Sequence, residues 1–169
     1  EILGFAGLVA AGRSEMARVI VGLDPCPEKQ LYLDEQPLGI KKRRDAIERG
    51  IYLVPENRRA EGLVVGMTVR ENITLPSLGK MAPMGLIQGK REREVAARQV
   101  ETLRVKTASL DTPVVTLSGG NQQKVALGKW LAMQPQVMIL DEPTRGIDVG
   151  AKAEIYQLMR SLAAQGTVI

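Results

Sequence analysis

The 169-residue chain contains no histidine. That excludes Ser–His and Cys–His nucleophile pairs, histidine general bases and histidine metal ligands from its own chemistry. Its single cysteine, Cys26, excludes a disulfide framework, an intrachain cysteine cluster for zinc and a two-cysteine redox motif. Aromatic residues make up 3% of the chain, too few for the stacking platforms of single-strand nucleic-acid binders. No apolar run approaches the roughly 20 residues of a membrane span, and no charged-then-apolar leader precedes a small-residue cleavage site. These absences predict a soluble, cytoplasmic chain whose chemistry rests on carboxylates, hydroxyls, backbone amides and cations.

What is present is 44% hydrophobic residues, enough for one core, with a net charge of +4. The basic residues are mostly interleaved with acids. Lys41-Lys42-Arg43-Arg44 is the one purely basic run, and Asp45 to Arg49 beside it reads as a solvated helix face.

Apolar runs and breakers predict an alternation of strands and helices. Strands are expected at residues 2–6, 30–33, 51–54, 137–140 and 167–169, and helices at 13–23, 42–49, 68–75, 90–103, 118–133 and 149–165. Thr68 with Glu71 three residues on has capping-box spacing. Ile155, Leu158, Met159 and Leu162 share one side of the last helix. Residues 55–66 read as a charged loop and 76–89 as a loop or broken helix. Alternating elements imply an α/β parallel sheet. The absence of a convincing strand over 68–134 predicts a helical insertion between core segments 1–67 and 135–169.

Three motifs carry candidate chemistry. Gly7 to Ser14 reads G-x-x-x-x-G-R-S between a strand and a helix, the phosphate-loop pattern with Arg13 in place of lysine. Such a loop converges backbone N–H groups on phosphate oxygens, and the Ser14 hydroxyl would reach Mg²⁺. Arginine keeps the charge, but its planar fork cannot thread the loop as an ammonium does. Second, the apolar strand Val137 to Leu140 ends in Asp141-Glu142, placing carboxylates at the carboxyl edge of a parallel sheet. Asp141 would hold Mg²⁺ and Glu142 would polarise an attacking water. Third, Leu117-Ser118-Gly119-Gly120-Asn121-Gln122 opens a helix with two glycines, poor for helix stability but suited to close backbone approach to an anion.

Ser118-Gly119-Gly120 as signature, Asp141-Glu142-Pro143-Thr144 as Walker B and Gly146-Ile147-Asp148 as D-loop resemble an ABC-type ATPase. More narrowly, the chain resembles the second ATPase half of tandem sugar importers of the ribose, galactose, xylose and autoinducer-2 type. The resemblance covers essentially the whole chain. It implies an α/β P-loop NTPase (RecA-like) parallel-sheet core with a helical subdomain, truncated at both ends. ATP and Mg²⁺ are the implied cofactors, with Gly7, Gly12, Arg13, Ser14, Ser118, Gly119, Gly120, Gln122 and Asp148 at nucleotide, Ser14 and Asp141 at metal, and Glu142 catalytic.

In that family two halves face head to tail, so Ser118 to Gly120 would act on ATP held by a partner half. The implied partners are that second half, membrane permease subunits and, indirectly, a periplasmic sugar-binding protein, with the protein peripheral on the inner face of the membrane. The adenine-stacking aromatic and the γ-phosphate switch residue would lie before Glu1 and beyond Ile169, predicting negligible ATPase activity for this piece alone. Where the family has a glutamine lid, this chain reads Pro55-Glu56-Asn57-Arg58-Arg59. Glu56 stands near the lid position, or belongs to a salt-bridged surface loop. Residues 61–69 and the Met81/Met84 loop lie where the family docks on its permease, and exposed Met and Leu would suit that role or simply fill the helical part. The alternatives are a soluble ABC ATPase acting on nucleic acid or ribosomes, disfavoured by scarce aromatics and mixed charge, and a non-hydrolysing regulatory half.

Overall fold

A computed structural model describes residues 1–8, 10–82 and 85–169. Two four-residue apolar runs, β3 (Ile51–Val54) and β4 (Val137–Leu140), pair in parallel with Ile51 opposite Val137 and Val54 opposite Leu140. Val137 also bridges Val168 in parallel. Ile169 in turn donates to the Glu1 carbonyl at 2.9 Å and accepts from the Leu3 N–H at 2.7 Å, the bonding pattern of a parallel pair. Across the sheet the order is therefore 51–54, 137–140, 167–169, 1–3. The segment feeding the glycine loop lies two places from the strand that ends in Asp141-Glu142.

The strand expected over residues 2–6 is reduced to that single point of contact. Beyond Leu3 it meets no further strand backbone among the described residues, and Ile2, Leu3 and Phe5 stay exposed. The strand expected at 30–33 shortens to β1 (Tyr32–Leu33), paired antiparallel with β2 (Gln36–Pro37). Asp34 and Glu35 both take positive φ in the connecting turn, 49° and 62°. That is the backbone of a primed two-residue hairpin, without the Asn-Gly or Asp-Gly that would announce it.

Side chains of β3 alternate between two clusters. Ile51 and Leu53 pack with Ala17 of α1 (Arg13–Ile20), Val21 at its C-cap, Ile40, and Ala46 of α2 (Arg43–Glu48). Tyr52 and Val54 pack on the other face with Met138, Leu127, Trp130 and Ile155. Burial on both faces is what a continuous apolar strand requires.

A third cluster joins Leu63 to the helices: α3 (Val69–Thr74), α5 (Gly89–Thr102) and α6 (Gly119–Leu131). Thr68 and Glu71 form the expected capping box at α3. Pro76 opens a 3-10 turn, Leu75–Ser77, leading into the short α4 (Leu78–Met81), where a loop or broken helix was expected. Proline is tolerated in a first turn because that N–H has no acceptor. Met81 is buried at 2% exposure, so it is packing and not an exposed docking residue; Met84 lies outside the described residues.

α6 is the pivot. Val125 and Ala126 face the helical cluster while Leu127 and Trp130 face the sheet, which accounts for its nearly continuous burial. Buried Lys124 fixes it laterally, donating to the Arg104 carbonyl at 2.9 Å and pairing with Glu154 of α7 (Val149–Ala164) at 2.5 Å. No helix among the described residues is long and apolar enough to cross a membrane.

Candidate nucleotide and signature sites

The glycine loop turns through Ala10 (φ 66°) and Gly12 (φ 80°) into α1, and Ala11 donates to the Leu8 carbonyl at 3.1 Å. Gly12 occupies the left-handed region that only glycine adopts without penalty. Gly7 sits in the exposed part of the turn, and Val9 lies outside the described residues. Among the described residues no side chain caps α1, which leaves its first N–H groups available, with Ser14 in the first turn. Glu15 in the same turn favours the helix macrodipole but sets a negative charge beside a place suited to phosphate.

At the end of β4, the Asp141 N–H extends the ladder by one step to the Val54 carbonyl at 3.0 Å. Asp141 and Ser14 line one cleft of roughly 570 Å³, together with Pro55, Asn57 and Trp130. A hydroxyl and a carboxylate with no ion-pair partner among the described residues are hard oxygen donors. They fit Mg²⁺, which takes one or two protein ligands and completes its shell with phosphate oxygens and water. Glu142 adopts φ 44°, which costs a non-glycine residue about 1–2 kcal/mol. Its carboxylate lies 3.1 Å from Arg13 Nη1, with the two side chains 44% and 32% exposed. The basic residue of the loop is thus tied to the residue expected to polarise water.

Ser118 caps α6, its hydroxyl oxygen accepting from the Asn121 backbone N–H at 3.5 Å and also from Asn121 Nδ2 at 2.9 Å. The glycines that follow meet protein. A Cβ on Gly119 would lie 2.7 Å from Arg58 Nη2 and 3.1 Å from the Gly146 carbonyl; one on Gly120 would lie 2.8 Å from the Ala151 Cβ. Close approach to the D-loop is a demand on these glycines that the motif alone does not disclose. Asp148 caps α7, and the Ala151 N–H bonded to it at 2.9 Å holds its carboxyl below the usual range. Ser118, Gly119 and Gly120 are not among the residues lining the Ser14–Asp141 cleft. Gln122 is not brought to either place. It is buried, and its amide donates to the Val114 and Leu117 carbonyls at 3.2 and 3.1 Å, closing the turn before α6.

Several residues at these sites carry no sequence signal. Glu56 is ion-paired with Arg145, the bridged-loop reading of that position. Arg43, from the basic run, folds inward over Trp130, its guanidinium carbon 5.1 Å from the ring centre, and burial lowers its pKa. Arg58 reaches the Arg145 and Gly146 carbonyls. Charged loop residues have no periodicity to reveal such partners.

A parallel sheet with a glycine loop before one helix, an acidic pair after the strand two places away, and a separate Ser-Gly-Gly helix start defines a P-loop nucleotide-binding fold with an ABC signature. The family model described as ABC transporter matches residues 1–145, and the chain belongs to that family. It is 50% identical over 169 residues to the ribose import ATP-binding protein RbsA of Geobacillus kaustophilus (strain HTA426), covering 100% of this chain and 34% of the relative. Against the arabinose import ATP-binding protein AraG of Pseudomonas syringae pv. syringae (strain B728a) it is 50% identical over 170 residues, again 34% of the relative. The chain thus spans about a third of the length of these curated relatives. Among solved structures, the dimeric bacterial ABC transporter cassette MJ0796 matches with TM-score 0.75 and 27% identity, covering 93% of this chain and 68% of that one. The same cassette in a dimeric post-hydrolysis state bound to ADP and Pi matches with TM-score 0.74 and 25% identity, covering 93% of this chain and 67% of that one.

Proposed function

We propose that the chain is part of the second ATP-binding half of a sugar-import ATPase, in which it mainly donates Ser118, Gly119 and Gly120 to ATP held by a partner half. The observation that carries this reading is the Arg13–Glu142 pair. It engages the candidate general base with the very residue that replaces the loop lysine, so this half's own site is poorly arranged to hydrolyse. The identity to ribose and arabinose import ATP-binding proteins across the whole chain supports the sugar assignment. Separation of the signature from the Ser14–Asp141 cleft supports action in trans.

In this reading residues 1–67 and 135–169 form the nucleotide core and 68–134 the helical signature part. Gly7, Gly12, Arg13 and Ser14 hold nucleotide weakly, Ser14 and Asp141 hold Mg²⁺, and Asp148 orients the D-loop. Mg²⁺ there would neutralise phosphate charge. The partners are the other ATPase half, permease subunits at the inner face of the membrane and, through them, a sugar-binding protein. Nucleic acid is not among them in this reading, on the 3% aromatic content and the interleaving of basic with acidic residues.

The test uses the full-length protein reconstituted with its permease. Ser118→Arg should abolish sugar-dependent ATP hydrolysis, whereas Arg13→Lys should change transport by less than about twofold. Equal loss from disabling either half's phosphate loop would overturn the reading.

A further inference from the structure

We infer that Arg58 is a positioning residue that fixes the D-loop against the signature and ties both to the loop following β3. The inference rests on the reading that Ser118 to Gly120 act on a nucleotide held in trans.

Arg58 opens a π-helical turn, Arg58–Gly62, started by Asn57, whose side chain accepts from the Ala60 N–H at 3.1 Å. From there the guanidinium forks. Nη1 donates to the Arg145 carbonyl at 3.0 Å and Nη2 to the Gly146 carbonyl at 3.3 Å. The same Nη2 lies where a side chain at Gly119 would begin, 2.7 Å from the position of its Cβ. One planar cation therefore bonds the Arg145 and Gly146 carbonyls, at the entry to the D-loop, and fills the space beside the first residue after the signature serine. Five donors in a rigid plane suit that task, and a single ammonium does not.

The turn is held at both ends. Glu56, just before it, is ion-paired with Arg145, a second tie to the D-loop. At its far end the Gly62 carbonyl accepts from Lys129 Nζ at 3.0 Å, on the last turn of α6. The next residue, Leu63, is buried in the helical cluster, and Val64 is clamped through its N–H and carbonyl by the buried Asn72 side chain. The loop after β3 is thus a short, braced segment between the helical layer and the D-loop. Displacing it moves Arg58, which holds the Arg145 and Gly146 carbonyls and stands against the open side of Gly119. In a half whose own loop is tied up by Arg13 and Glu142, this gives a physical route by which events at the loop after β3 reach the partner's nucleotide.

The experiment measures ATP hydrolysis by the full-length protein with its permease, comparing wild type, Arg58→Ala, Arg58→Lys and Ser118→Arg, with thermal melts of each. Arg58→Ala should lower kcat by about tenfold and leave KM for ATP within about twofold, since two hydrogen bonds that set geometry are lost while the competent phosphate loop is untouched. Arg58→Lys should not restore kcat, because it cannot bridge both carbonyls. In the full-length protein, Arg58→Ala should speed amide exchange in residues 118–121 and 145–148 together while α5 is unchanged. If Arg58→Ala does not fold, Arg58→Lys serves for both readouts. Unchanged kcat in Arg58→Ala, full rescue by lysine, or faster exchange in only one of the two segments would overturn the inference. If Ser118→Arg leaves hydrolysis intact, the trans reading has failed; if it abolishes hydrolysis while Arg58→Ala does not lower kcat, only the role of Arg58 has failed.

Discussion

The Arg13 guanidinium stands 3.1 Å from the Glu142 carboxylate, joining the start of α1 to the end of β4. A lysine in the same loop position would carry a compact charge suited to phosphate, whereas the arginine fork finds a carboxylate partner inside the protein. Both side chains are about a third exposed or more, so solvent screens the pair, and its consequence is geometric more than energetic.

Removing that pair should therefore leave the fold intact and alter ligand binding. Arg13→Lys is expected to raise the chain's affinity for Mg²⁺·ATP by severalfold while shifting the melting temperature by under about 2 °C. Calorimetric titration of nucleotide into both forms checks this; equal affinities would show that Glu142 does not compete with phosphate for the residue at 13.

A methyl group has no room at either signature glycine. Gly120→Ala would set its Cβ 2.8 Å from that of Ala151, and Gly119→Ala would press on Arg58 and the Gly146 carbonyl. Each should destabilise by about 1–3 kcal/mol despite alanine's better helix propensity. Urea unfolding followed by Trp130, the only tryptophan, measures the effect. A stabilised Gly120→Ala would mean that α7 yields at no cost.

Asn72 is fully buried and serves the loop backbone with both ends of its amide, accepting from the Val64 N–H at 2.8 Å and donating to the Val64 and Thr68 carbonyls at 3.0 Å each. Asn72→Ala leaves the Val64 N–H without a partner, while the Val64 and Thr68 carbonyls keep the N–H groups of Met67 and residue 72, and should cost roughly 1–3 kcal/mol. The loss should appear as a lower urea midpoint with an unchanged slope.

Acid should unfold the chain through its bonded carboxylates. The Thr68 N–H and hydroxyl hold Glu71 below the usual carboxylate range, and Arg93 with Arg70 does the same for Asp111. A carboxyl whose folded pKa is depressed contributes stability that is fully present above its unfolded value, about 4, and lost as pH falls through the folded value. Stability should thus be flat near pH 6 and decline from about pH 5 downward. Glu71→Gln should make that decline shallower, as followed by melts across the pH range. An unchanged slope would remove Glu71 from the account.

Much of the fold was legible locally. The capping box at Thr68 and Glu71, the paired apolar strands ending at Val54 and Leu140, and the last helix with Ile155 inward all follow from periodicity and short-range chemistry. The strand over residues 2–6 is not, because apolar composition gives propensity while a ladder needs a neighbour, and among the described residues only Ile169 meets it. The hairpin at Asp34-Glu35 is not legible because glutamate, which rarely accepts positive φ, stands where glycine would announce the turn. The inward turn of Arg43 is not legible because a basic run looks alike whether its stems lie in water or over Trp130.

By itself the sequence determined the chemistry available: with no histidine, only carboxylates, hydroxyls, backbone amides and cations could act, and the spacing of Gly12, Ser118 and Asp141 named where. Tertiary structure decided the pairings. That Arg13 meets Glu142, that Gln122 turns inward, and that Arg58 grips the Arg145 and Gly146 carbonyls depends on contacts up to 129 positions apart. Local propensity carries no information about such contacts; they exist only once the clusters around β3 and α6 have brought the loops together.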